Sequence, residues 1–330
     1  MRTLISYKNA WGIISAVALT MTFGCTPESF DEDLVDDQQI EAAASGGIAG
    51  ISLPPKQGTS NNGMFSTSPL ANIYTQKEVQ DTVYWKKGIR ISINPQTVAD
   101  RTQWLNTQNM ANWALQKGGY VIFGMWDSDQ HDMGGDGHGD GLVDSPASAK
   151  AMWNTVAAVY RSNARVFFEV FNEPFGYRDP DLYMNAMRAI MPSSVSHNRI
   201  IVDGMGYADD VQKIRNRWDG LLGYHVYTFW LQGMLQTQSN YSNLVKGALA
   251  GVASRTFVTE FGANLKIAGD YNDSRNMDAN IQFMKGMADA FSEIKPKGTF
   301  YWHGWNNGDT YSYWTGTSSA QAKVNSAQSY

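Results

Sequence analysis

Eight short apolar runs recur along residues 47–303, and they constrain the fold more than any other feature of the chain. They read GIAGIS (47–52), GIRISI (88–93), YVIFGM (120–125), VFFEVF (166–171), RIIVDG (199–204), LLGYHVY (221–227), RTFVTE (255–260) and GTFYWH (298–303). Several are unbroken rather than alternating, the pattern of parallel strands covered on both faces. Helix-forming segments lie between them. SPASAKAMWNTVAAVY opens on Ser145 as N-cap with Pro146 in the first turn, and places Met152, Val156 and Val159 on one face. DPDLYMNAMRAI repeats the device with Asp179 and Pro180, and NMDANIQFMKGMADAF supplies a third helix. Eight strands alternating with helices over about 270 residues predict a (β/α)₈ TIM barrel. A doubly wound open sheet fits less well, because no Gly-rich phosphate loop follows any of the strands.

The chain ahead of that pattern reads as targeting sequence. Arg2 and Lys8 precede the apolar run WGIISAVALTMTFG, and the single cysteine, Cys25, follows at once. Residues 1–24 are therefore expected to be a signal peptide. The Gly24-Cys25 junction resembles a bacterial lipobox, although Thr22 and Phe23 depart from its usual residues. Lipidation at Cys25 would make the protein an exported lipoprotein, touching a membrane only through that anchor, and a plain secreted form is the alternative. Cleavage would remove Arg2 and Lys8 and take the net charge from −5 to −7. Residues 26–41 hold seven Asp or Glu and no Lys or Arg, so 25–45 reads as a solvated spacer and 46–330 as the barrel domain. With no cysteine after Cys25, the domain must rely on its core rather than on internal disulfides. A net charge of −5 without a basic cluster gives nucleic acid no footprint.

The fourth run continues as VFFEVFNEPFG (166–176), so a core strand leads into Asn172, Glu173 and Pro174, and the proline forbids further ladder pairing. Glu260 closes the seventh run. The two glutamates are 87 residues apart, or 29 per unit over three strand–helix units, close to the ~30 residues of each unit in a barrel of this kind. Both are thus expected at one mouth. Two carboxyls sharing a site drive their pKa values apart and so supply an acid and an ionised partner together. Glycoside hydrolysis uses such a pair.

Asn172-Glu173-Pro174 after an apolar strand, with Glu260-Phe261-Gly262 three units later, resembles glycoside hydrolase family 5, the cellulase and mannanase family of retaining barrels. ALQKGGYVIFGMW (114–126) is similar to the family's third strand. The resemblance implies Glu173 as general acid/base and Glu260 as nucleophile. It further implies that Asn172 bonds the sugar 2-hydroxyl and that Arg90, in GIRISI, keeps the nucleophile ionised. From GYHVY, Tyr227 would hydrogen-bond the nucleophile and His225 a sugar hydroxyl. Trp302, in FYWHGW, would be the platform for the cleaved sugar, with Trp305 as rival. The third strand departs from the family: Gly124, Met125 and Trp126 stand where a site histidine is customary, unless His131 folds back, and Trp126 would widen the aromatic lining. Tyr207 and Trp230 are further candidates for stacking.

One low-complexity stretch remains, HDMGGDGHGDG (131–141). Asp132, Asp136, Asp140 and Asp144, flanked by glycines and by His131 and His138, could offer oxygen ligands to a structural Ca²⁺, but their spacing is not that of an EF-hand. A solvated substrate loop is the plainer reading. The sequence therefore points to a monomeric endo-acting β-1,4-glycanase, glucan before mannan, with no cofactor in its chemistry. A non-catalytic glycan binder on the same barrel and a metal-dependent hydrolase are the rival classes.

Overall fold

The computed structural model describes residues 47–56, 69–126, 140–231 and 235–330. The strands are β1 (Ile48–Leu53), β2 (Gly88–Ile93), β3 (Tyr120–Met125), β4 (Val166–Glu169), β5 (Ile200–Asp203), β6 (Leu221–Tyr227), β7 (Thr256–Gly262) and β8 (Gly298–Tyr301). They pair in parallel in chain order and close on themselves through β1 and β8, so the expected (β/α)₈ barrel is the observed fold. Closure removes every free sheet edge. The signal segment, Cys25 and the spacer lie outside the described residues, as do His131, Asp132, Asp136 and His138.

The outer helices are α1 (Gln76–Lys86), the short α2 (Pro95–Ala99), α3 (Arg101–Gln116), α4 (Pro146–Tyr160), α5 (Pro180–Ile190), α6 (Gln238–Ala248), α7 (Ala279–Ile294) and α8 (Ser318–Ala327). Their starts follow the sequence. The Ser145 side chain accepts from Ser148 N–H, and Asp179 accepts from Asp181 and Leu182, each with proline inside the first turn. One face differs from expectation. Met152 and Val156 are buried, but Val159 is 45% exposed, because α4 turns Trp153, Ala157 and Tyr160 to the sheet instead. Between β5 and β6 only an irregular turn (Met205–Ala208) and a 3₁₀ turn (Val211–Lys213) are found where the alternation suggested a full helix.

Inside the barrel the side chains form tiers, as the period-two alternation of strands requires. The lowest tier is apolar: Ile48, Ile122, Phe167, Ile201, Leu221, Phe257 and Phe300 pack together as a cluster separate from the larger shell between sheet and helices. Each such side chain contributes about 1.5–3 kcal/mol by leaving water, so the barrel is plugged below the site. Two residues beyond Phe167 and Ile201 stand Glu169 and Asp203, and Arg90 reaches them from β2, all three buried. The tier above the apolar plug is therefore ionic.

Candidate active site

Room for that ionic tier comes from two glycines. A Cβ on Gly124 would lie 2.5 Å from Glu169 Oε2, and one on Gly223 would lie 1.9 Å from Asp203 Oδ1. The β3 position where a departure from the family pattern was noted is thus occupied by the Glu169 carboxyl arriving from β4. Arg90 meets it with a fork: Nε donates to Oε2 at 2.5 Å and Nη2 to Oε1 at 3.0 Å. The guanidinium also donates to Asn172 Oδ1 at 2.6 Å and to Glu260 Oε1 at 2.6 Å. One cation thereby fixes three acceptors from β4, its following loop and β7, a task for which a planar guanidinium is suited and an ammonium is not.

Glu260 and Glu173 reach this tier by different routes. β7 carries a bulge: Tyr224 pairs with Val258, but the next residue, His225, pairs with Glu260. The extra residue resets the alternation, so Thr259 and Glu260 both turn inward, Thr259 Oγ1 meeting His225 Nε2 at 3.1 Å. Without the bulge, Glu260 would follow Thr256 and Val258 toward the helices. Glu173 does not close β4 as the sequence suggested. The strand ends at Glu169, and Glu173 sits four residues later with φ +48°, a left-handed backbone costing on the order of 1–3 kcal/mol for a residue with a side chain. Asn172 N–H still donates to Met125 O at 2.9 Å, which carries β4 alignment into the loop, and Glu173 N–H donates to Asp203 Oδ2 at 3.2 Å.

The Glu173 and Glu260 carboxyls face each other. With His225 they form a trio whose nearest ligand atoms all lie within 4.8 Å of one another. His225 Nδ1 is 3.0 Å from Glu173 Oε1 and 3.7 Å from Glu260 Oε2, and the Tyr227 hydroxyl donates to Glu260 Oε2. Burial pushes both carboxyls above the usual range. For Glu173 the Glu260 charge adds to burial, and Arg90 offsets only part, leaving it well raised. For Glu260 the neighbouring Arg90 charge and the Tyr227 hydrogen bond oppose burial, so its rise is the smaller. Glu260 consequently ionises first, and Glu173 retains its proton to higher pH. Burial and the facing carboxylates raise the Tyr227 phenol, which stays a donor.

A cavity of about 330 Å³ opens over the pair, lined by Trp126, Tyr227, Phe229, Trp302, Asp309 and Tyr311. Trp126 and Trp302 stack at 5.8 Å with 29° between planes, and Phe229 lies parallel on Tyr227 at 5.3 Å. Of the rival platforms, Trp302 lines the cavity, whereas Trp305 is buried in the core shell. Trp230 packs edge-on against Tyr224 and Tyr227, and the exposed Tyr207 stacks on Phe175 at 4.8 Å. His225, expected to meet a sugar hydroxyl, is fully buried with its ring nitrogens on Glu173 and Thr259. Its place is beneath the carboxyls.

The sequence reading did not single out Glu169, Asp203, Thr259, Phe229, Asp309 or Tyr311. For Glu169 and Asp203 a signal existed: each stands two residues after an inward apolar residue, Phe167 or Ile201, on the same strand. Glu169, Asp203 and His225 also lie within 4.8 Å of one another and could be read as metal ligands. Arg90, however, already engages both Glu169 oxygens. Of the proposed Ca²⁺ ligands, Asp140 is exposed and accepts from Leu142 N–H at 2.8 Å, and Asp144 is exposed. Neither joins a tight ligand cluster among the described residues.

Residues 76–310 match the family model for cellulase, glycosyl hydrolase family 5. No curated protein sequence matches. Solved structures with the same barrel include an endo-β-1,4-glucanase of Xanthomonas axonopodis pv. citri (TM-score 0.58, 14% identity, 86% of this chain and 98% of that one). The catalytic domain of the major endoglucanase of Xanthomonas campestris pv. campestris gives TM-score 0.57 at 14% identity over 86% and 94%. A Thermobifida fusca endoglucanase catalytic domain crystallised with cellotetraose gives 0.55 at 17% over 86% and 92%. At these identities the structural likeness establishes the barrel alone.

Proposed function

The chain belongs to glycosyl hydrolase family 5 and is a glycoside hydrolase, and from its site we propose that it is an endo-β-1,4-glycanase acting with net retention, on β-1,4-glucan before β-1,4-mannan. The observation that carries this reading is the approach of the Glu173 and Glu260 carboxyls to within 4.8 Å at their nearest oxygens. That approach suits retaining enzymes, whose carboxyls stand about 5–5.5 Å apart, better than inverting ones, which hold a ~6.5–9.5 Å gap for the attacking water. Endoglucanase activity in structures of the same barrel supports the choice of glucan.

In this reading Glu260 attacks the anomeric carbon as Glu173 gives its proton to the glycosidic oxygen. The C–O bond breaks, the shortened chain departs with that proton, and the remaining sugar is esterified to Glu260. Glu173, now a carboxylate, takes a proton from water, whose oxygen displaces Glu260 and restores both groups with the starting anomeric configuration. Arg90 and Tyr227 stabilise the Glu260 anion before attack and as it departs. Asn172 stands beside the pair, and Trp302 offers the platform for the sugar being cleaved. Two carboxyls suffice for this sequence, so neither metal nor organic cofactor takes part. The leader and Cys25 support export as a lipoprotein or secreted enzyme.

Glu173→Gln is expected to lower kcat on β-glucan by about 10²–10⁴-fold, the usual contribution of general acid–base catalysis, while nuclear magnetic resonance of the wild-type reaction shows the β-anomer forming first. Initial release of the α-anomer, or equal sugar release by wild type and Glu173→Gln, refutes the reading.

A further inference from the structure

Asp203 closes β5 inside the barrel and is fully buried. Its Oδ2 accepts the Glu173 N–H at 3.2 Å and lies 3.9 Å from His225 Nε2. The Glu169 charge acts on it from β4. Its own carbonyl accepts the Tyr183 hydroxyl at 2.8 Å, which fixes the strand end from the α5 side. The room it occupies exists only because β6 carries Gly223 opposite. The loop after β4 and strand β6 therefore both meet this one carboxyl.

Glu173 needs such a support. It is one of four described non-glycine residues with positive φ, and the only one of them beside the candidate nucleophile. Its N–H is the backbone group that Asp203 holds. We propose that Asp203 is a positioning residue for the candidate acid: by engaging the Glu173 N–H it fixes the left-handed turn from which the Glu173 carboxyl reaches both His225 and the cleft. This inference rests on the proposed function.

Charge balance indicates how Asp203 does this. Glu169, Asp203, Glu173 and Glu260 face one guanidinium and one imidazole, and the hydrogen bonds of Arg90 go to Glu169, Asn172 and Glu260 rather than to Asp203. Burial and the adjoining Glu169 charge hold the Asp203 carboxyl protonated well beyond the usual range. As a neutral group it still accepts the Glu173 N–H, and an amide oxygen can imitate that contact.

Asp203→Ala and Asp203→Asn test this on two substrates, an aryl cellobioside with an activated dinitrophenol leaving group and an unactivated cello-oligosaccharide. For Asp203→Ala we expect kcat on the oligosaccharide to fall more than about tenfold with KM little changed, and a much smaller fall on the activated glycoside, which needs no proton. Asp203→Asn is expected to restore kcat to within about threefold and to keep the alkaline limb of the pH profile. Equal losses on both substrates, wild-type kcat in Asp203→Ala, or an Asn variant as slow as the Ala variant overturns the proposal. If Asp203→Ala does not fold, the Asn variant decides alone, since a tenfold loss there refutes a neutral positioning role. Glu173→Gln run in parallel separates the two readings: if it shows no leaving-group dependence, the proposed function has failed, not merely the role of Asp203.

Discussion

Replacing Arg90 with methionine removes the one guanidinium of the ionic tier while roughly keeping its volume. Four hydrogen bonds are lost, two to Glu169 and one each to Glu260 and Asn172. All four residues are buried, so water cannot readily replace the lost donors. Breaking a buried ion pair from one side costs about 3–5 kcal/mol. At roughly 2–4 °C per kcal/mol for a domain of this scale, Tm should fall by about 10 °C. The deficit should also depend on pH. Without Arg90, Glu260 has a folded pKa raised further above its unfolded one. A raised carboxyl destabilises the fold increasingly as pH climbs from the unfolded value, ~4.3, toward the folded one. The Tm difference from wild type, measured by calorimetry, should therefore be smaller at pH 5 than at pH 8. The acid limb of kcat/KM should move up, because in the proposed mechanism Glu260 must be ionised to attack. Arg90→Lys should recover part of the stability and little of the activity, having charge but no fork. A Tm loss under about 2 °C, or a deficit that shrinks as pH rises, refutes the claim that this cation organises the carboxyls.

Two further outcomes follow from the same tier. Tyr227→Phe removes the hydroxyl that donates to Glu260, and losing a hydrogen bond to a charged group at about 1.5–3 kcal/mol should lower kcat/KM by roughly 10–100-fold; the acid limb should again rise, and an unchanged pH profile would contradict the assignment. Gly124→Ala puts a methyl 2.5 Å from Glu169 Oε2, so Tm should drop by an amount equivalent to about 1–3 kcal/mol, and a melt indistinguishable from wild type would show that Glu169 can retreat freely.

The legible part of the fold was the part that repeats. Apolar runs at barrel spacing gave strands within a few residues of those observed, and Ser145-Pro146 and Asp179-Pro180 marked helix starts where the caps are found. The errors have local causes. VFFEVF looks like one strand to Phe171, but the regular strand ends at Glu169 because the loop that follows must carry Glu173 into a left-handed turn. Val159 shares an apolar stripe with Met152 and Val156, yet α4 sits rotated so that Trp153 and Tyr160 fill the interface, and bulk prevails over pattern. Trp302 and Trp305 are equivalent on paper, and only the path of the chain after β8 sends one to the cavity and the other to the core.

For this protein the sequence alone determined the barrel, its strand order and the two glutamates, because period, capping and spacing are properties of residues near one another along the chain. It also carried the family likeness. Tertiary structure decided what each acid faces. A one-residue bulge in β7 turns Glu260 inward, glycines on β3 and β6 leave space for Glu169 and Asp203, and Arg90 joins groups 79, 82 and 170 residues away. Such contacts depend on where closure of the sheet places distant side chains, and on burial, which sets their protonation. Neither quantity is written in any local stretch of sequence.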